Sequence, residues 1–497
     1  MKLKYSAGHV SEFRGGSVVF FVAQYDRITD RQLKELDEVS LGAITTLLES
    51  GEFTGKMGEV ATIYRPGGYQ ADRIILAGLG ERKRLDADSY RKAAGTVSGV
   101  KGLTLIPRAA FYLGRAEKDE FFQAAIEGYL LGSFKLLEFK TGEGAVRKNV
   151  LDEITFVVGN KRILNRVQKA VERGRIAAEC QNLVRVLAST PSNYLTPRLL
   201  AAQAQKLART HGFSCRVLDE KAIAREKMGA LMSVARGATE PPRFIILEYR
   251  GAAKGRKPIV LVGKGVTFDT GGISLKPGTD MHFMKSDMTG AAIVLGTVVA
   301  AARLKLRQNV VGLMPTTENM PSGTATKPGD IITSRKGLTI EVINTDAEGR
   351  LILADALDYA SEFKPQAVID IATLTGAALV VLGYHGAPIM GNNPRLMKRV
   401  KDAADATSEK VWELPIWDEY RENMKSSIAD LHNSYGRPGS TITAAAFLEN
   451  FIGDYPWAHV DVASVDVERA GRPYVPKGMT GVGLRLLVDV LYNWKAL

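Results

Sequence analysis

Two carboxylates and a guanidinium fall within five residues in the run Asn344-Thr345-Asp346-Ala347-Glu348-Gly349-Arg350-Leu351. Residues 340–343 are rich in β-branched types and predict a strand. The apolar spacing of 351–360 predicts a buried helix. The acids therefore belong to a strand-to-helix turn, and open α/β sheets bind ligands at the ends of their strands. Asp346 and Glu348 are two residues apart, so an extended backbone points both side chains to one face. Like charges on one face repel unless a cation lies between them, and a divalent metal ion meets that need with hard oxygen donors. The plain alternative is a solvated acidic turn with Arg350 as a local salt-bridge partner.

A second stretch carries the same residue types. Residues 258–262 predict a buried strand, and Gly263-Lys264-Gly265-Val266-Thr267-Phe268-Asp269-Thr270-Gly271-Gly272 follows it. Lys276 and then Met284-Lys285-Ser286-Asp287 come next. Together the two stretches offer Asp269, Asp287, Asp346 and Glu348 with Lys264, Lys276 and Arg350. All lie in or beside glycine-containing loops, where backbone can approach a ligand closely. On chemistry alone Lys264 reads as an anion binder, because lysine ordinarily carries its charge. His9, His211, His282, His385, His432 and His459 form no His-Glu-x-x-His pair, and no Gly-x-Ser-x-Gly elbow is present. Those absences argue against zincin and serine-hydrolase chemistry.

These segments resemble the leucyl aminopeptidases, the cytosol aminopeptidase family of dinuclear metallo-exopeptidases. The run at 344–351 stands as that family's signature. The similarity extends from about Asn182 to the end through residues 190–197, 370–377 and 457–463. The resemblance implies two divalent ions per subunit, manganese or zinc with magnesium as a further option. Asp269 and Glu348 would bridge them, Asp346 would complete one site, and Asp287 and Lys264 the other. Lys264 would then bind as a neutral amine, its pKa driven down by burial and two cations. The implied reaction is hydrolysis of the N-terminal peptide bond by a metal-bridging hydroxide. Lys276 would stabilise the oxyanion, and Arg350 would hold a bicarbonate ion as general base. Asn344, Thr373, Leu374 and Gly376 would contact substrate, with Met284 and Ala463 lining a side-chain pocket that favours leucine and other apolar residues. The family usually continues Asp-Ile-Ala-Gly, whereas this chain has Ala463-Ser464-Val465-Asp466. Facing the pocket, Asp466 would broaden acceptance toward basic side chains; facing solvent, the commoner place for a single acid, it would do nothing. The solvent position is the expectation taken here.

The elements that must position these groups follow from pattern. At 497 residues the chain is too long for one ordinary core. Residues 1–160 predict a smaller α/β unit in which strands alternate with helices, including a helix over 29–48. Residues 161–190 predict a linker helix, stopped by Pro191. Residues 191–497 form the catalytic unit, with a mixed, mostly parallel central sheet flanked by helices. Two cysteines argue against a disulfide framework on compartment grounds. The N-terminus lacks a signal-peptide core, and no apolar run approaches the roughly 20 residues of a spanning helix. The expectation is a cytoplasmic protein with no membrane partner. The net charge of +12 raises nonspecific affinity for nucleic acid, but no recognition motif accompanies it. A nucleic-acid-binding protein on the same scaffold is the alternative from another class, and a dinuclear phosphoesterase is a third. The family resemblance further implies a homohexamer of two stacked trimers acting on peptides with free N-termini.

Overall fold

The computed structural model describes residues 1–24, 28, 30–114, 118–142 and 150–496. The chain divides into two compact units, Met1–Glu179 with Ala470–Lys477, and Cys180–Arg469 with Gly478–Leu497. The division falls inside the helix Leu164–Ser189.

The first unit is built on a six-stranded sheet. Its spatial order is Lys2–Ala7, Glu153–Val158, Arg108–Tyr112, Ser17–Gln24, Arg73–Glu81, Val60–Tyr64, and only the last pair is antiparallel. The segment 470–477 joins this unit through Tyr474, whose hydroxyl donates to Asp88 at 2.7 Å. The helix predicted over 29–48 is broken; Thr29 itself lies outside the described residues. Two helices, Arg31–Val39 and Ala43–Glu49, meet at Leu41 and Gly42, which take positive φ of 58° and 78°. The reason is Asp37, whose carboxylate accepts from the amides of Ile44 and Thr45 at 2.9 and 3.0 Å. A side chain that satisfies the second helix's first amides competes with continuing the first helix.

The second unit carries a nine-stranded mixed sheet flanked by helices. Its order is Val411–Glu413, Ala387–Gly391, Trp457–Asp461, Ala367–Ala372, Ile259–Gly263, Asn309–Asn319, Arg243–Arg250, Ser214–Leu218, and Gly265–Asp269 pairs in parallel beyond Ile259–Gly263 on the long strand Asn309–Asn319. The four strands from Trp457–Asp461 to Asn309–Asn319 run parallel. Parallel strands are covered on both faces, and Ile259–Gly263, Ala367–Ala372 and Trp457–Asp461 are buried at every residue. Asp370 ties two of them from within. It accepts from Trp457 Nε1 at 2.7 Å and pairs with His459 Nδ1 at 2.5 Å.

Two helices complete this core. Glu348–Ala360 packs Leu351, Leu353 and Leu357 with Val260 and Val262 in one apolar cluster. Thr289–Arg303 is buried continuously from Thr289 to Ala301 and has no polar face, the signature of a helix enclosed by protein. The stretch Met281–Arg303, a 3-10 turn followed by this helix, is long and apolar enough to cross a membrane by length and composition alone, and most of it is buried inside the unit. Gly290 sets how closely this helix approaches the sheet. A Cβ there would lie 2.2 Å from the Ile371 carbonyl oxygen and 2.9 Å from the Lys264 amide nitrogen. Because both obstacles are backbone, Gly290→Ala should destabilise by about 1–3 kcal/mol or more. Denaturant unfolding would check this, and a change within about 0.5 kcal/mol, the surface-substitution range, would contradict it.

Candidate active site at the strand ends

Lys264, Asp269 and the 373–376 loop are delivered by the carboxyl ends of strands of the large sheet, as expected for an α/β sheet, and Asp287, Asp346 and Glu348 reach them from other elements. Lys264 follows Ile259–Gly263 directly, and Asp269 ends the strand Gly265–Asp269. Asp287 closes the 3-10 turn Met281–Ser286, just before the buried helix. Asp346 and Glu348 lie between the strand Thr339–Glu341 and the helix Glu348–Ala360. That helix starts three residues before the predicted 351, so the extended-backbone reason for grouping the two acids does not hold. They are brought together by a turn instead. Asn344 Oδ1 accepts from the Asp346 amide at 2.9 Å, and Glu348 is the first helical residue. Carboxylate oxygens of Asp269, Asp346 and Glu348 lie within 4.8 Å of one another.

So many acids in a buried place need positive charge. Lys264 Nζ lies 2.8 Å from both Asp287 and Glu348 Oε1 and donates to the Thr373 carbonyl at 2.9 Å. Lys276 Nζ lies 2.9 Å from Asp269 and also contacts Asp346. Burial alone would lower both lysines, but the surrounding carboxylates outweigh it and hold each above its ordinary value. Burial, reinforced by Glu348, pushes Asp269 upward and Asp346 up to about 6. Burial also drives Asp287 well above the carboxylate range, against the pull of Lys264. Glu348 goes the other way, because Lys264 and Lys276 overcome its burial. Burial draws the Arg350 guanidinium down to about 10. Its Nη1 donates to the Asn433 carbonyl at 2.9 Å, while Nε is buried with no hydrogen-bond partner.

Three supporting residues had not been assigned roles from spacing. Asn319 Nδ2 donates to Asp269 Oδ1 at 2.8 Å and to the Thr345 carbonyl at 3.0 Å, so it joins the two acidic stretches. Asn433 Oδ1 accepts from the amides of Ile343 and Asn344, and its Nδ2 donates to the Asn344 carbonyl at 2.7 Å. Asp461 accepts from the amides of Leu374 and Thr375 and the Thr375 hydroxyl, which holds the 373–376 loop. Asn319 reads from sequence as a polar loop residue after a shorter strand, whereas the strand runs on to it, and Asp461 lies within its motif. Nothing near Asn433 in sequence marks it.

A cavity of about 250 Å³ opens onto the acids. Met284, Thr373, Leu374, Gly376 and Ala463 line it together with Lys264, Lys276, Asp269, Asp287, Asp346 and Glu348. Asn344 instead serves the turn, through its bond to Asp346. Asp466 overturns the solvent expectation. It is 4% exposed, lines the same cavity, and accepts from the Ser286 hydroxyl at 2.6 Å. It is drawn inward by the bend after the strand Trp457–Asp461, where its carbonyl accepts from the Thr480 amide.

The donor set fits divalent cations. Carboxylate oxygens are hard ligands, three converge, and Glu348 Oε2 is buried with no hydrogen-bond partner. The model of the cytosol aminopeptidase family catalytic domain matches residues 182–488, and that of the family's N-terminal domain matches residues 18–143. A probable cytosol aminopeptidase of Geotalea uraniireducens (strain Rf4) is 46% identical over 95% of each chain. A solved mutant tomato leucine aminopeptidase superposes with a TM-score of 0.89 at 32% identity, covering 99% of this chain and 97% of that one. The bottromycin maturation enzyme BotP in complex with Mn gives 0.84 at 32% identity, over 96% and 98%.

Gly349 tests how tightly the site is built. A Cβ there would lie 2.5 Å from Lys264 Cε and 2.7 Å from its Nζ. Gly349→Ala should therefore move the Lys264 side chain while leaving the backbone in place. Calorimetric titration with manganese should show affinity weakened by at least about tenfold, the low end for disturbing a ligand's support. Unchanged affinity would contradict the placement of Lys264 at the centre.

Proposed function

The chain belongs to the cytosol aminopeptidase family, a family of peptidases, and on that premise we propose that it removes N-terminal residues from peptides at a dinuclear metal centre. The observation that carries this reading is the convergence of buried Asp269 and Glu348 with half-buried Asp346 beside Lys264 and Lys276. In this reading Asp269, Glu348, Asp346, Asp287 and Lys264 are the residues that would hold the ions. Divalent cations held there, manganese or zinc, would supply Lewis-acid chemistry and lower the pKa of water at neutral pH.

The chain's own residues do the rest. Lys264 serves as a ligand only as the neutral amine, so it must give up the proton that its carboxylate neighbours now favour. Lys276 keeps its proton and offers positive charge to the oxyanion as it develops. Arg350 is too basic to accept a proton itself; its unpartnered Nε supports a role in holding a bicarbonate ion that serves as base. Thr373, Leu374 and Gly376 position the substrate backbone. Met284, Leu374 and Ala463 give the side-chain pocket apolar walls that suit leucine and methionine. The chain is further proposed to act in the cytoplasm as a homohexamer, a mass that light scattering on purified protein reads directly.

Release of leucine from an unblocked leucyl dipeptide tests the reading. Metal-stripped protein should be inactive, and manganese or zinc should restore turnover. Glu348→Ala should stay below about one-hundredth of the wild-type rate, since even residues that only support a metal ligand cost 10–100-fold. An acetylated N-terminus should abolish cleavage. Cleavage of the blocked peptide, or activity indifferent to metal, would overturn the reading.

A further inference from the structure

Asp466 is a buried acid for which the chemistry above has no use. One of its oxygens, Oδ2, is satisfied by the Ser286 hydroxyl at 2.6 Å. Oδ1 is buried and has no hydrogen-bond partner among the described residues. Among the described residues no lysine, arginine or histidine pairs with it. Arg469, three residues on, lines the same cavity but is held by other groups. Its Nη2 lies 3.1 Å from Asp280, and its guanidinium sits 5.5 Å from the Phe283 ring centre. Burial raises Asp466 to about 6, as expected for a carboxylate that lacks a compensating cation. A buried acid left with a free oxygen is costly, so a purely structural role for it accounts for only half of the carboxylate.

The cation has somewhere to come from. Asp466 lines the cavity that also contains the acids of the metal centre and the apolar side chains of Met284, Leu374, Leu379 and Ala463. A substrate whose N-terminal residue enters this cavity presents its side chain to those walls. Long basic side chains bury an aliphatic stem and carry their charge at the tip. A stem on apolar walls with the tip at a carboxylate is the arrangement that such a side chain needs, and a leucine side chain leaves Oδ1 unsatisfied.

We propose that Asp466 extends the enzyme's N-terminal specificity to lysine and arginine, its Oδ1 accepting a hydrogen bond from the substrate's ammonium or guanidinium while Met284, Leu374, Leu379 and Ala463 pack along the stem. This rests on the aminopeptidase reading and names a substrate class for it. Asp466 is then a specificity residue that touches the substrate side chain and takes no part in bond cleavage.

The test compares kcat/KM for leucyl, lysyl and arginyl dipeptides on the metal-loaded wild type and on Asp466→Asn. Wild type should cleave all three. Asp466→Asn should lower the lysine-to-leucine and arginine-to-leucine ratios by roughly tenfold to hundredfold, the factor for a hydrogen bond to a charged group, with the loss chiefly in KM. A second measurement needs no variant. Free lysine should inhibit leucyl dipeptide hydrolysis by the wild type more strongly than norleucine, which has the stem without the ammonium. Wild type that cleaves the leucyl substrate and refuses the basic ones would overturn the proposal. So would ratios unchanged in Asp466→Asn, or norleucine inhibiting better than lysine. Failure on every substrate, leucyl included, would bring down the aminopeptidase reading and this proposal with it.

Discussion

Four acids in one pocket, three of them buried, cannot coexist without positive charge among them, and that constraint organises the second unit. Lys264 lies 2.8 Å from Asp287 and Glu348, and Lys276 lies 2.9 Å from Asp269 and contacts Asp346. The lysines are held charged by the same acids they neutralise, so the cluster is a self-consistent set of ion pairs. Buried pairs of this kind add little net stability, because removing charges from water costs nearly what their attraction returns. Their presence is better explained by function. A cluster with surplus carboxylate oxygen, such as Glu348 Oε2, is suited to accept cations of higher charge than lysine supplies.

The fold answers that constraint with rigidity. Strands that run parallel and are buried on both faces end together, so their loops converge with little freedom. Polar residues then lock the loops to one another. Asn319 links Asp269 to the backbone at Thr345, Asn433 pins the turn that carries Asp346, and Asp461 gathers the amides of 374 and 375. Each bond joins segments distant in sequence, and such supporting shells set the precision of a site.

That long range also explains what was legible in the sequence. The glycine-bounded loops, their acids and lysines, and the buried strands before them are local patterns, and the two-unit α/β architecture follows from strands alternating with helices. The grouping of Asp346 with Glu348 was legible for the wrong reason. The motif marked them, but a turn and a helix start bring them together, where spacing implied an extended chain. The helix expected over 29–48 failed because Asp37 caps a second helix seven residues on, a tertiary use of a residue that periodicity treats as merely polar. Asn433 was invisible because its partners lie nearly ninety residues away. Asp466 was misplaced because a lone acid is ordinarily exposed, and only the packed cavity shows that this one is not.

The most direct test of the central claim is a count of metal. Protein saturated with manganese and dialysed free of excess should carry two ions per chain by elemental analysis, and Glu348→Ala of the same fold should lose at least one. Two ions in the wild type, reduced in the variant, are what a pair of sites bridged by Glu348 requires. Wild-type protein that retains none, or a variant that retains both, would contradict the claim that this carboxylate cluster is a dinuclear centre.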